Sequence, residues 1–108
     1  SAPAISGDEL AARLSAGEAP LVLDVRTPEE FAAGRVPQAI NIPHTELAAR
    51  VDELGLEQRG REIVVYCERG GRAGEAETTL RRAGFTDVRH LEGDMSAWRS
   101  AARPCEGC

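Results

Sequence analysis

A chain of 108 residues, 42% hydrophobic and 29% charged, has room for one folded core but is marginal for two. No apolar run approaches the roughly 20 residues of a membrane helix, and nothing near Ser1 reads as a signal peptide. The net charge of −5 argues against a nucleic-acid partner, since phosphate binding needs a basic surface, yet it leaves room for a small anion held locally by arginines and backbone N–H groups.

In chain order, "AISGDELAARL" reads as a short extended lead-in and then a helix. Ser6 and Glu9 match a capping box, and Leu10 and Leu14 fall one turn apart. "GEAP" breaks that helix, and "LVLDV", Leu21 to Val25, is an apolar run of strand length. "TPEEFAAG" offers Thr27 as N-cap, Pro28 at the first helical position and Gly34 as the stop. "AINIP" is a brief strand ended by Pro43, and "TELAARVDEL" is a helix with Leu47, Val51 and Leu54 on one stripe, closed by Gly55. "EIVVY", Glu62 to Tyr66, is the strongest strand signal, being β-branched and aromatic. The segment from Gly71 to Ala83 is predicted helical, with Ala73, Ala76, Leu80 and Ala83 in one row that allows close approach to a sheet. "FTDVRHL" supplies a last strand around Val88, and "DMSAWRSAA" a last helix in which Trp98 packs inward. Strands alternating with helices predict an α/β fold, a parallel sheet covered on both faces with ligands outside the carboxyl ends of the strands. One domain over residues 1–104 is expected, followed by a short CxxC tail at 105–108.

The three cysteines divide into Cys67 alone and Cys105 with Cys108 in "CEGC", which does not resemble a secreted disulfide framework. Cys67 directly follows the strongest strand, and "CERGGRA" leads from it into a helix. Gly70 and Gly71 permit a turn whose N–H groups converge, the helix start adds partial positive charge, and Arg69 and Arg72 add formal charge. A cysteine in such a cradle should ionise readily and act as a nucleophile, and the same donors would hold an anion or a charged sulfur attached to it. The competing reading is a small buried apolar side chain, the usual fate of a free cysteine. The two glycines and two arginines favour function.

Two anion chemistries compete for the loop. In the tyrosine-phosphatase pattern C-x5-R, five residues separate cysteine from arginine. Here four separate Cys67 from Arg72, and position 73 is alanine. The shorter loop closes a smaller pocket, better matched to one transferable sulfur than to a tetrahedral phosphate. A phosphatase or arsenate reductase is disfavoured on that count.

Three separated motifs resemble the single-domain rhodanese family of sulfurtransferases. "LDVRTPEEFAAGRVPQAINIP" is similar to its upstream signature, "VVYCERGGRA" to its C-x-x-G-x-R loop, and "LEGDMSAW" to its closing L-x-G-G-M-x-x-W. The resemblance runs from about Ile5 to Pro104. Gln38 stands where the family has glycine, Arg35 where histidine is usual, and Asp94 replaces the second glycine of the closing motif, bringing a negative charge towards the pocket rim. The resemblance implies a three-layer fold with a mostly parallel five-stranded sheet. It further implies that Cys67 takes the outer sulfur of thiosulfate or a related donor as a persulfide and passes it to a thiophilic acceptor, cyanide or a thiol. The backbone of Glu68, Arg69, Gly70, Gly71, Arg72 and Ala73 would hold the persulfide, and Arg72 would help bind the donor. No metal or organic cofactor is implied. A non-catalytic rhodanese-like module is disfavoured because the nucleophile is present.

Asp24 and Arg26 belong to the upstream signature, and the expectation for them is structural support rather than substrate contact. Glu68 and Arg69, as outward-facing loop side chains, would tune donor choice. His44 and His90 are expected at the surface or in hydrogen bonds rather than as bases, because a thiolate ionised by its loop needs none. Cys105 and Cys108 are open to several readings: a redox pair, an incidental or disulfide-bonded pair, half of a zinc site that nothing else in the chain completes, or a flexible sulfur relay from Cys67. The expected partners are a small anionic sulfur donor and a thiol or cyanide acceptor, including a protein thiol, with no nucleic acid and no membrane, for a monomer. The lack of a targeting segment favours the cytoplasm; an export signal already removed would place the protein in the periplasm.

Overall fold

The computed structural model describes residues 2–108. Its elements are α1 (Gly7–Ser15), β1 (Leu21–Asp24), α2 (Pro28–Ala32), β2 (Ile40–Asn41), α3 (Leu47–Arg50), β3 (Glu62–Tyr66), α4 (Gly71–Arg82), β4 (Asp87–His90) and α5 (Asp94–Ser100). The four strands lie in the order β2-β1-β3-β4, and every pairing is parallel. All carboxyl ends therefore meet at one edge of the sheet. The chain moves from β1 to one side and later returns to β3 on the other, so the loops after β1 and β3 part and leave a crevice between them.

Alternation along β3 separates two cores. Ile63, Val65 and Cys67 face one side with Leu47 of α3 and Ala73, Ala76 and Leu80 of α4. Val64 and Tyr66 face the other with Leu10 of α1 and Met95 and Trp98 of α5. The β-branched run suits a strand buried on both faces. The alanines of α4 let that helix lie close to the sheet, and Leu80→Ala in so closed a site would cost about 2–5 kcal/mol.

The expected fifth strand is reduced to one parallel bridge, Ile5 to Leu91. Ile5 N–H donates to the His90 carbonyl at 2.9 Å and Glu92 N–H to the Ile5 carbonyl at 2.9 Å. Ser6 then caps α1 at once, its Oγ accepting from Glu9 N–H at 3.0 Å, so the lead-in turns away before a second pair forms. The full reciprocal capping box occurs instead at α2, where Thr27 and Glu30 each accept from the other's backbone. The single helix predicted over residues 45–54 is α3 followed by a tighter 3-10 turn, Val51–Leu54, which delivers Leu54 to the core before Gly55 redirects the chain. No helix among the described residues is long and apolar enough to cross a membrane.

Candidate active site

Asp24 and Tyr66 are register partners, so the residues after them leave the sheet side by side. Cys67 extends the α4-facing row of β3 by one position and is 1% exposed. Its sulfur accepts the Gly70 N–H at 2.9 Å. Gly70 has φ +124°, a conformation L-residues avoid, and a Cβ there would sit 3.2 Å from Asp94 Oδ2. α4 begins immediately afterwards with no side-chain cap, so the N–H groups of Gly71, Arg72 and Ala73 have no intrahelical acceptor and carry the helix's positive end.

The loop backbone is fixed by α5. Cys67 N–H donates to Asp94 Oδ1 at 3.0 Å, while the N–H groups of Met95 and Ser96 donate to the Cys67 and Glu68 carbonyls, each at 3.0 Å. Asp94 therefore does not stand at the rim, as expected from its departure from glycine. It is 3% exposed, takes φ +55°, and also meets His90 Nε2 at 2.8 Å. The hydrogen bond to Asp94 outweighs burial and raises the His90 pKa, with Glu77 (3.1 Å from Nδ1) adding to the effect.

The charged side chains of the loop are mostly engaged. Arg72 donates to both Glu30 oxygens, at 2.6 and 3.0 Å, and this guanidinium holds the Glu30 carboxyl at about 2 despite partial burial. Arg69 is exposed. Glu68 does not face freely outward: it turns to Arg99 at 2.8 Å and Arg26 at 3.2 Å, and those charges, Arg99 first, lower its pKa. This pairing withdraws Glu68 from solvent and joins the nucleophile loop to the β1 loop.

Asp24 and Arg26 form a buried pair. Arg26 donates from Nη2 to Asp24 Oδ2 at 2.7 Å and from Nε to both oxygens, and its Nη2 also reaches the Gly34 carbonyl at 2.6 Å. Burial opposes the guanidinium charge, but the hydrogen bonds and charge of Asp24 prevail and raise the Arg26 pKa. Burial, then the Asp24 charge, pushes the Tyr66 phenol far above its usual range; its oxygen accepts Val36 N–H at 3.1 Å. Asn41 bridges the Asp24 and Arg26 carbonyls.

The CEGC segment is docked rather than loose. Cys105 and Cys108 are joined as a disulfide. Glu106 exchanges both backbone hydrogen bonds with Arg35 at 2.9 Å, and Gly34 lies against the Cys108 sulfur. Cys105 packs on the α5 core near Trp98, whose indole N–H donates to the Pro104 carbonyl at 2.9 Å. An open groove of about 580 Å³, lined by Arg13, Glu18, Leu21 and Glu62 among others, lies at the amino ends of β1 and β3, away from Cys67. Its position at the amino ends of the strands separates it from the Cys67 loop, which lies beyond their carboxyl ends.

Sequence reading placed the Cys67 loop but missed three supports: Glu30 as the partner of Arg72, Asn41, and the Asp94–His90 pair. The only signal for the last was that a charged residue replaced a motif glycine.

The parallel sheet, with a cysteine loop leading from a strand into an uncapped helix start, defines an α/β protein of three layers. The rhodanese-like domain pattern matches residues 6–101, and the chain belongs to that family. A sulfurtransferase of Allochromatium vinosum is 33% identical over 100 residues, covering 93% of this chain and 91% of that protein. A chloroplastic thiosulfate sulfurtransferase of Arabidopsis thaliana is 41% identical over 91 residues, 76% of each. An HTH-type transcriptional regulator of Mycobacterium tuberculosis is 45% identical over 106 residues, 95% of this chain but only 44% of the regulator. Among solved structures, a rhodanese-related protein of Thermoplasma volcanium superposes with a TM-score of 0.83 at 28% identity, covering 98% of this chain and 99% of that one.

Proposed function

We propose that the protein is a sulfurtransferase that carries sulfane sulfur as a persulfide on Cys67. The observation that carries this reading is the Gly70 N–H on the Cys67 sulfur, at the mouth of an uncapped helix. The Cys67 thiolate attacks the outer sulfur of thiosulfate, the S–S bond of the donor breaks, and sulfite leaves with the electron pair. The persulfide anion then lies among the N–H donors from Gly70 to Ala73, which stabilise its charge without a proton transfer. Attack of a thiolate or cyanide on the outer sulfur gives a persulfide or thiocyanate and returns Cys67 as thiolate. Arg72 serves the anionic donor once it exchanges Glu30 for it.

Relatives named as sulfurtransferases support the class of reaction, and the four-residue spacing between Cys67 and Arg72 supports sulfur over phosphate. Reduction of the CEGC disulfide, with release of the segment from Arg35, would free Cys108 to approach Cys67 as a thiol acceptor. Its thiolate takes the outer sulfur and restores Cys67. Attack by Cys105 on Cys108 then re-forms the disulfide and expels hydrogen sulfide, and an external dithiol reduces the pair for the next turnover.

Mass spectrometry of the Cys67 peptide after thiosulfate exposure tests the proposal. One added sulfur, absent in Cys67→Ser, is the expected result. No added sulfur from thiosulfate or from glutathione persulfide would overturn it and favour a loop that only binds.

A further inference from the structure

Beneath the nucleophile loop lies an array the transfer reaction does not use. Asp94 Oδ1 accepts both the Cys67 N–H at 3.0 Å and a hydrogen bond from His90 Nε2 at 2.8 Å, and His90 Nδ1 faces Glu77 Oε2 at 3.1 Å. An imidazolium has two N–H donors and can satisfy both carboxylates; a neutral ring has one. Asp94 is 3% exposed and Glu77 is nearer solvent, with Arg81 at 3.6 Å as another partner. On deprotonation the remaining proton therefore stays on Nε2, facing the buried Asp94, and Glu77 turns to Arg81 or water.

The nucleophile's own N–H thus touches a buried negative charge, an arrangement that opposes a second negative charge on the sulfur. A protonated His90 cancels that charge. The other charged groups around the loop are Arg69, Arg72 with Glu30, and Glu68 with Arg99 and with Arg26, itself paired to Asp24. None is a type that ordinarily titrates near neutrality, whereas histidine does. The chain's other histidine, His44, pairs with Glu75 at 3.4 Å.

Building on the reading of Cys67 as nucleophile, we propose that Asp94 is a positioning residue that holds the Cys67 backbone, and that His90 acts through it to set how readily the sulfur ionises. Asp94 fixes the loop by hydrogen bonding; the protonation of His90 decides how much of the Asp94 charge the sulfur feels. The replacement of a motif glycine by aspartate thereby couples the nucleophile to a half-buried histidine.

The test is the pH dependence of Cys67 alkylation by iodoacetamide in the native protein, read on the Cys67 peptide. Asp94→Asn keeps an oxygen acceptor and a residue type that tolerates positive φ while removing the charge. It is expected to move the midpoint down by about one pH unit, roughly tenfold faster alkylation on the acid side. His90→Gln is expected to move the midpoint up, and in the double variant that upward shift should vanish because its route is gone. Asp94→Gly should speed exchange of the Cys67 amide with solvent while leaving that of Val64 unchanged. If Asp94→Asn does not fold, Asp94→Gly, which suits the positive φ of that position, replaces it in the double variant with His90→Gln. Coincident midpoints, or shifts that persist independently in the double variant, would overturn the inference. Alkylation needs no sulfur donor, so shifted midpoints without sulfur uptake would refute the transferase reading alone. Sulfur uptake with flat midpoints would refute this one alone.

Discussion

Cys67 and Asp94 are 27 positions apart, yet the N–H of one is bonded to the carboxylate of the other at 3.0 Å. With Met95 and Ser96 donating to the carbonyls of Cys67 and Glu68, the first turn of α5 holds the nucleophile's peptide units on both sides. A cysteine at the end of a strand would ordinarily be as mobile as its loop. This one is held to α5 by three hydrogen bonds, a preorganisation that the proposed transfer would use.

Arg72 is held by Glu30 at 2.6 Å. Glu30→Gln weakens that hold while retaining an oxygen for the Thr27 cap, and should lower KM for thiosulfate about twofold to fivefold, the scale of a part-exposed ion pair. Arg72→Ala should reduce kcat/KM by about tenfold or more through loss of a charge-assisted contact. Steady-state assays at fixed ionic strength check both, and an unchanged KM in Glu30→Gln would show that the pair does not compete with donor.

Asp24 and Arg26 are 0% and 1% exposed. Removing one partner strands the other as a buried charge, so Asp24→Ala should destabilise the fold by about 3–5 kcal/mol. Urea denaturation of the two proteins measures this. A loss below about 1 kcal/mol would mean that water or Glu68 replaces the lost partner.

Two groups give stability opposite dependences on pH. The Glu30 carboxyl titrates at about 2 in the fold, below its ordinary value near 4.5, so its contribution is complete above that ordinary value and is lost as pH falls towards about 2. His90 is raised above 6.5, so its contribution is complete below that value and is lost as pH rises through the raised one. Thermal melts should show a decline as pH rises above about 6.5 that is absent in His90→Gln. An equal decline in that variant would assign the slope to another group.

Replacing Cys105 and Cys108 together by serine should leave persulfide formation on Cys67 intact and slow the release of hydrogen sulfide in the presence of an external dithiol. Single-turnover sulfur loading separates from steady-state sulfide release for this purpose. Equal release rates would show that the segment takes no part in transfer.

The fold was legible because its signals are local: β-branched runs of strand length, glycine stops and an alanine row repeat within a few residues. The strand-to-helix turn after Cys67 was legible for the same reason, since its glycines, arginines and position after "EIVVY" are contiguous. What escaped is non-local. Arg72 meets Glu30 across 42 positions, and Arg26 meets Glu68 across 42, so no spacing rule brings them together. The fifth strand was implied only by the family resemblance, and the cap at Ser6 ends the pairing of the lead-in after Ile5. The last segment, for which a flexible relay and a disulfide pair were both open, is disulfide-bonded and held by hydrogen bonds to Arg35 that no feature of "CEGC" announces.

Trp98 is the chain's only tryptophan, and its indole is bonded to the Pro104 carbonyl while Arg103 lies over its ring at 5.6 Å. Cys105 packs on the same core. An intrinsic fluorophore thus sits at the base of the cysteine pair, reporting on that segment without any attached label. Undocking would expose one edge of the indole to water and shift its emission to longer wavelength, so the redox state of the last residues should be readable optically.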